Sequence, residues 1–160
     1  MGYDPARMSL SRDGSRTCNV EENMRPIDRV LETVLYVGDL DAAERFYGEV
    51  LGLELDSKKD GIFVFFRCGE AMLLLFDPDA AMSGRGVPPH GARGPGHVCF
   101  AVAESELDAW RAHLSAAGVE IEREMTWPRG GRSFYFRDPD GNSLELATLR
   151  IWGLHEVGDG

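Results

Sequence analysis

The sequence has little cysteine and an excess of acidic over basic residues. Its three cysteines, Cys18, Cys68 and Cys99, are scattered along the chain, which excludes a disulfide framework and a cysteine-rich zinc motif. Lysine and arginine total 17 against 27 aspartates and glutamates, so the net charge is −10. A surface of that sign disfavours nucleic acids and anionic membranes as partners. The same charge permits a cationic ligand without requiring one.

Long apolar runs are also absent. The run from Met72 to Phe76 is far too short to span a bilayer, and the N-terminus lacks the apolar segment of a signal peptide. We therefore expect a cytoplasmic protein. With 160 residues, 43% of them hydrophobic, the chain suits one domain or two small modules with a common core. We predict a polar extension over residues 1–26, a folded domain over 27–149 and a tail over 150–160.

The first part of the predicted domain, residues 27–77, has the pattern of a β-α-β-β-β module. Val30–Val37 is rich in β-branched and aromatic residues, which predicts a strand. Leu40–Leu51 carries apolar residues at helical spacing, and Gly52 after it is a favourable helix end. Three further strands are predicted at Leu53–Leu55, Ile62–Phe66 and Met72–Phe76.

The same order of elements recurs in residues 96–149, after a linker at 78–95 that is rich in proline and glycine. His97–Val102 matches the first strand, Leu107–Ala117 matches the helix, and Gly118 ends that helix. The remaining strands are predicted at Val119–Ile121, Ser133–Phe136 and Ser143–Ala147. The repeat indicates two tandem modules, because one unit has an apolar sheet face that it cannot cover alone. We predict an α+β fold in which both modules form a curved mixed sheet, a cup, with the helices outside.

Three polar residues interrupt apolar strands at positions that face this cup. Glu32 lies in the first strand, His97 begins the fifth, and Glu145 lies between two leucines in the last. A carboxylate placed there needs a cation, a hydrogen-bond donor or water. Two carboxylates and one imidazole facing a single cavity suit a divalent metal ion, which also relieves the repulsion between the carboxylates.

Arginine pairing is the alternative explanation of these carboxylates. Arg67, Arg132 and Arg137 lie near enough in the repeat to pair with the two glutamates. In that case His97 is an ordinary core histidine.

The segments ETVLYVGDLDAAERFYGEVLGLEL, GPGHVCFAV and SFYFRDPDGNSLEL together resemble the vicinal oxygen chelate superfamily. That group includes glyoxalase I, extradiol dioxygenases, fosfomycin-resistance enzymes and bleomycin-resistance proteins. The resemblance covers residues 27–149. It implies paired β-α-β-β-β modules, often in a homodimer and sometimes with modules exchanged between chains. It also implies one divalent metal ion on the first, fifth and last strands, held here by Glu32, His97 and Glu145.

The chain departs from individual members of that superfamily. Many members carry histidine where this chain has Glu32, and the ring-cleaving dioxygenases hold iron(II) with two histidines and one carboxylate. Glyoxalase I has a further carboxylate on the fourth strand, where this chain has Leu73 or Leu74. Fosfomycin-resistance enzymes share the last hairpin but have threonine where this chain has Val34. One histidine with two carboxylates suits zinc, manganese, iron, nickel, cobalt or magnesium without redox chemistry.

The resemblance implies a metal-dependent Lewis-acid enzyme, a lyase or isomerase of the glyoxalase type, acting on a small molecule with vicinal oxygens. Glu32 and Glu145 are the predicted catalytic carboxylates, since no convincing general base is found apart from the metal ligands. The predicted substrate contacts are Tyr36, Arg67, Trp127, Arg132 and Tyr135.

Three other functions are kept as alternatives. One is a metal-free drug- or metabolite-binding cup of the bleomycin-resistance type, against which the three ligand candidates count. Another is an extradiol-type dioxygenase, which is disfavoured because only one of the three predicted metal ligands is a histidine. The last is a non-catalytic module that acts through a partner or a dimer surface, with Trp152 and Leu154 as candidate contacts.

Overall fold

The computed structural model describes residues 25–84 and 86–155, together with the backbone of two short strands near the N-terminus. These strands, β1 (Ser9–Leu10) and β2 (Arg16–Thr17), pair antiparallel. They belong to a first unit, Met1–Val30, and the second unit is Leu31–Gly160. The predicted polar extension at 1–26 lies for the most part outside the described residues.

Within the described part of the second unit there are eight strands and three α-helices. The strands are β3 (Glu32–Tyr36), β4 (Glu54–Lys59), β5 (Phe63–Cys68), β6 (Ala71–Phe76), β7 (His97–Ala101), β8 (Arg123–Thr126), β9 (Arg132–Arg137) and β10 (Ser143–Ala147). The helices are α1 (Leu40–Arg45), α2 (Pro78–Met82) and α3 (Leu107–Ala116). A π-helical turn, Phe46–Val50, continues α1, and 3-10 turns cover Glu104–Glu106 and Leu149–Trp152.

The strands form two mixed sheets of identical topology. The first sheet has the order β3-β6-β5-β4 and the second the order β7-β10-β9-β8. In each sheet the first strand of the module lies parallel to the last, and the other pairs are antiparallel. The predicted α+β class and the repeat of β-α-β-β-β modules are therefore confirmed, with the eight strands divided into two four-stranded sheets.

One face of each sheet is buried, because alternate side chains of a strand point to opposite faces. The buried faces and the helices form one hydrophobic core. Its members from the first module include Leu35, Tyr47, Phe66, Leu73 and Leu75, and those from the second include Leu107, Leu114, Phe134, Phe136 and Leu144. The opposite faces, which carry most of the candidate site residues, are left more open.

The strand predicted at Val119–Ile121 is wrong. The strand of the second module at this point is β8, Arg123–Thr126. Val119 and Ile121 instead pack, partly buried, against the core, so their apolar character serves packing rather than strand pairing. β8 escaped prediction because it is the edge strand of its sheet and lacks an alternating apolar face.

The segment predicted as a linker, 78–95, contains the helix α2. The Asp77 carboxylate caps this helix by accepting a hydrogen bond from the Ala80 backbone N–H at 2.8 Å, and Pro78 occupies the first turn. Both are favoured residues at a helix start. None of the described helices is long and apolar enough to cross a membrane.

A buried polar network joins the last hairpin to the first module. The Asp138 carboxylate is 4% exposed and accepts the Tyr47 hydroxyl at 2.9 Å and the Asn142 side-chain amide at 2.8 Å. It also accepts the backbone N–H groups of Asp140 and Asn142. The Asp138–Asn142 turn is thus anchored to the helical segment of the first module through Tyr47.

Replacing Tyr47 by phenylalanine is expected to lower the free energy of unfolding by about 1.5 kcal/mol near pH 8. Burial, and then the Asp138 carboxylate, raise the pKa of Tyr47 above its usual value. The folded state therefore holds this proton more tightly, and its contribution to stability is lost as pH rises above about 10. Urea unfolding of both proteins should show the difference shrinking between about pH 8 and pH 11. A difference that stays constant contradicts this interpretation.

Candidate metal centre

The open face of the second sheet carries most of the residues that could do chemistry. Glu145 of β10 lies in register between Cys99 of β7 and Tyr135 of β9. His97 lies two residues before Cys99 on the same face. This arrangement follows from strand alternation, which also sends Leu144 and Leu146 to the core.

The two ligand candidates of the second module are close together. His97 Nε2 lies 3.6 Å from Glu145 Oε2. His97 Nδ1 lies 3.0 Å from the Ser143 carbonyl oxygen, and since a carbonyl only accepts, Nδ1 carries the proton. In the neutral imidazole, which carries a single ring proton, Nε2 then presents its lone pair towards the carboxylate. A nitrogen and an oxygen acceptor facing each other at this distance favour a cation between them.

Glu145 has an unsatisfied acceptor. The residue is 4% exposed, and among the described residues its Oε1 atom has no hydrogen-bond partner. A buried carboxylate oxygen without a donor is costly. The cost is removed if a metal ion is bound there, so the residues present fit a divalent cation.

The Glu145 carboxylate contributes to raised pKa values in two neighbouring side chains, Cys99 and Tyr135. Removal from water, and then the charge of Glu145, raise the pKa of Cys99 to about 12. Burial and the same carboxylate also raise the pKa of Tyr135. Both side chains are thus neutral hydrogen-bonding groups at physiological pH.

Glu32 lies on the open face of the first sheet, in register with Met72. It is exposed and has no hydrogen-bond or ion-pair partner among the described residues. Arg67, which sequence reasoning considered as its partner, is paired with Asp56. No three His, Cys, Asp or Glu side chains in the described part of the chain are close enough to hold a metal ion. Within one chain, therefore, the structure unites His97 with Glu145 but does not add Glu32.

Two predicted substrate contacts lie on the open face of the second sheet or beside it. The Tyr135 ring is nearly parallel to that of His97, with centroids 6.2 Å apart. The Trp127 indole N–H donates to the Ser133 hydroxyl at 2.8 Å, and Ser133 lies two residues before Tyr135 in β9. Both aromatic side chains can therefore form a wall of the site.

Arg132 lies on the other face of β9. Its guanidinium donates to Asp108 at 2.8 Å and lies 3.4 Å from Glu104. The structure therefore directs this arginine to α3 and the turn before it, away from the face of Glu145.

Tyr36, another predicted contact, lies on the open face of the first sheet next to a residue that sequence reasoning missed. Its hydroxyl oxygen is 2.7 Å from His90 Nδ1, and the His90 ring packs edge-on against Phe76. Phe63 and Phe65 stack nearby with centroids 4.1 Å apart. No periodic signal marked His90, because it lies in the proline- and glycine-rich connection.

Comparison with known protein families agrees with this architecture. The model of the Glyoxalase/Bleomycin resistance protein/Dioxygenase superfamily matches residues 27–146. The chain belongs to this superfamily. The match includes all eight strands of the two sheets except the last residue of β10, and the predicted membership is confirmed.

Individual members of the superfamily are also similar to the chain. The glutathione transferase FosA of Serratia marcescens is 35% identical over 112 residues, which is 70% of this chain and 74% of that protein. The metallothiol transferase FosB of Staphylococcus saprophyticus is 29% identical over 70% of this chain and 71% of its own length.

A solved structure gives a closer sequence match. The crystal structure of lactoylglutathione lyase from Agrobacterium tumefaciens is 44% identical, with a TM-score of 0.78, and the match covers 81% of this chain and all of that one. The relatives thus include an enzyme named as a lyase and two named as transferases. The name of FosB, metallothiol transferase, refers to a metal.

Proposed function

We propose that the chain is a divalent-metal enzyme that acts on a small molecule with two adjacent oxygens. The observation that carries the proposal is the buried Oε1 of Glu145, which has no hydrogen-bond partner among the described residues, together with His97 Nε2, which lies 3.6 Å from the other oxygen of the same carboxylate. When bound, the metal ion would supply Lewis-acid polarisation of the substrate oxygens. Its ligands would be His97, Glu145 and Glu32.

Glu32 would come from a second copy of the chain. Its carboxylate is exposed and has no partner among the described residues, and it does not join the other two ligands within one chain. A homodimer with two-fold symmetry would complete two identical sites at once, because each copy supplies and receives the same group. The predicted homodimer is thus part of this proposal.

The other side chains on the open face have binding and orienting roles in this proposal. Ser143 keeps the His97 proton on Nδ1 through its carbonyl oxygen. Tyr135, neutral because of its raised pKa, would donate a hydrogen bond to a substrate oxygen. Trp127 would shield the bound substrate from water. With one imidazole and two carboxylates, the ligand set favours Lewis-acid over redox chemistry.

The alternative of a metal-free binding cup is favoured by a different observation. The open face of the first sheet carries the aromatic side chains of Tyr36, Phe63, Phe65 and Phe76, several of them in mutual contact. Such a surface binds planar apolar molecules without any metal. Metal analysis separates the two functions.

The test is metal binding by purified wild type and His97→Ala, with His155→Ala as the control. His155 is an exposed histidine of the C-terminal tail. We expect wild type to bind near-stoichiometric metal in elemental analysis, and His97→Ala to bind it more than about 100-fold more weakly. His155→Ala should match wild type. If wild type binds no metal after incubation with divalent ions, the proposal is wrong and the binding cup is favoured.

A mixing experiment tests the role of Glu32. Glu32→Ala and His97→Ala chains are unfolded together and refolded, so that mixed dimers form. Each mixed dimer contains one intact site only if Glu32 acts across the dimer, and about a quarter of all sites should then bind metal tightly. Recovery of no sites would place Glu32 in the site of its own chain, whereas metal binding by about half of all sites, those of the Glu32→Ala chains, would place Glu32 outside the metal centre.

A further inference from the structure

The Asn142 side chain uses all its polar atoms although it is only 2% exposed. Its oxygen Oδ1 accepts the Gly96 backbone N–H at 2.7 Å. Its amide group donates to Asp138 Oδ2 at 2.8 Å and to the Tyr36 carbonyl oxygen at 3.2 Å. Both kinds of atom are needed, so no other amino acid of this size reproduces the pattern.

The Gly96 bond has a direct consequence for His97, the next residue. Gly96 also accepts the Ser143 backbone N–H at 2.9 Å, and the Ser143 carbonyl receives the His97 Nδ1 proton at 3.0 Å. Asn142 and Ser143 together therefore hold Gly96 and His97 in place through three hydrogen bonds. Because β7 is the edge strand of its sheet, no further strand fixes its start.

The space around Gly96 is tight, and a side chain at this position would require its neighbours to move. A Cβ atom at this position would lie 2.7 Å from a Leu35 methyl carbon and 3.3 Å from Asn142 Oδ1. The chain just before His97 is thus pressed between a core side chain of the first module and the Asn142 oxygen. Since Asn142 also holds the Tyr36 carbonyl at the end of β3, it ties the start of β7 to the first module.

We propose that Asn142 is a positioning residue for the metal centre. It fixes the backbone of Gly96, so that the His97 ring donates Nδ1–H to Ser143 and presents Nε2 beside Glu145. The part of this inference that concerns metal affinity rests on the proposed function, whereas the part that concerns the His97 ring does not.

The test compares Asn142→Ala and Asn142→Ser with wild type, and Tyr47→Phe serves as the control. Serine is too short to bridge Gly96 and Tyr36. Tyr47→Phe weakens the same turn through Asp138 but leaves the Gly96 bond in place. The first readout is the ¹⁵N chemical shifts of the His97 ring in metal-free protein, which report which ring nitrogen carries the proton. The second is the Kd for Mn²⁺ by calorimetry.

We expect wild type and Tyr47→Phe to carry the proton on Nδ1, and the Asn142 variants to show a mixture of both tautomers. Mn²⁺ should bind the Asn142 variants about 10- to 100-fold more weakly, as for other residues that orient a ligand, with Tyr47→Phe close to wild type. The inference is overturned if a folded Asn142 variant keeps the wild-type tautomer of His97. It is also overturned if Tyr47→Phe loses as much Mn²⁺ affinity as the Asn142 variants do. If wild type binds no Mn²⁺ or other divalent ion, the proposed function fails while the ring spectra still decide the role of Asn142. Should Asn142→Ala not fold, Asn142→Ser provides the same readouts.

Discussion

In the absence of metal, Glu145→Gln is expected to be more stable than wild type by about 2 kcal/mol in its free energy of unfolding. The substitution keeps the shape of the side chain and removes the charge of a buried carboxylate whose Oε1 has no partner among the described residues. The amide that replaces it is far less costly to bury than a charge. Urea unfolding with a chelator, near pH 8 where histidines are ordinarily neutral, measures the difference.

With saturating metal the order of stability should reverse. A ligand that binds only the folded state adds about 4 kcal/mol at 1,000 times its Kd, and Glu145→Gln lacks one of the proposed ligands for that ion. Glu120→Gln, a change at an exposed glutamate, is the matched control and should stay within about 0.5 kcal/mol of wild type in both conditions. A Glu145→Gln protein that is less stable than wild type without metal would show that the carboxylate is already satisfied.

Asp138→Ala is expected to lower the free energy of unfolding by about 4 kcal/mol. Four hydrogen bonds end on this buried carboxylate, from the Tyr47 hydroxyl, the Asn142 side chain and the backbone N–H groups of Asp140 and Asn142. Alanine leaves all four donors without an acceptor in the protein. Urea unfolding at constant protein concentration measures the loss, since a dimer adds a concentration dependence.

Asp140→Ala is the matched control for this change. Asp140 lies in the same turn, but it is exposed and accepts one bond, from the Gly38 N–H at 2.7 Å. Its removal should cost about 1 kcal/mol or less. Equal losses in the two variants would contradict the assignment of Asp138 as the centre of the junction between the hairpin and the first module.

Much of the fold could be predicted because its signals are local. The helix of each module is marked by apolar spacing and a final glycine, and Gly52 and Gly118 have φ of 70° and 75°, where glycine is favoured. The strand Glu54–Lys59 begins one residue after the start of the predicted strand Leu53–Leu55 and ends four residues after its end. Its side chains are all exposed, and the charged residues at its end suggest a turn. β8 was missed for a related reason. Edge strands facing solvent lack the apolar alternation on which strand prediction depends.

The residues of the candidate site could likewise be predicted where the signal is local, whereas their contacts could not. Glu145 was found because a carboxylate between two leucines must face away from the core, and His97 because it opens a matching strand. Their 3.6 Å approach depends on the pairing of β7 with β10, which joins residues 46 positions apart in the sequence. The pairing of Arg132 with Asp108 and of Arg67 with Asp56 was not predictable, since an exposed arginine can reach several acids.

By itself, the sequence determined the repeat, the α+β class, the superfamily and which polar residues leave the core, because these depend on periodicity and on short-range turn chemistry. Only the tertiary structure decided that His97 and Glu145 meet while Glu32 stays apart within one chain. It also decided that Asn142 links Gly96 to Tyr36. Such contacts depend on strand order and on the packing of one module against the other, which no local pattern encodes.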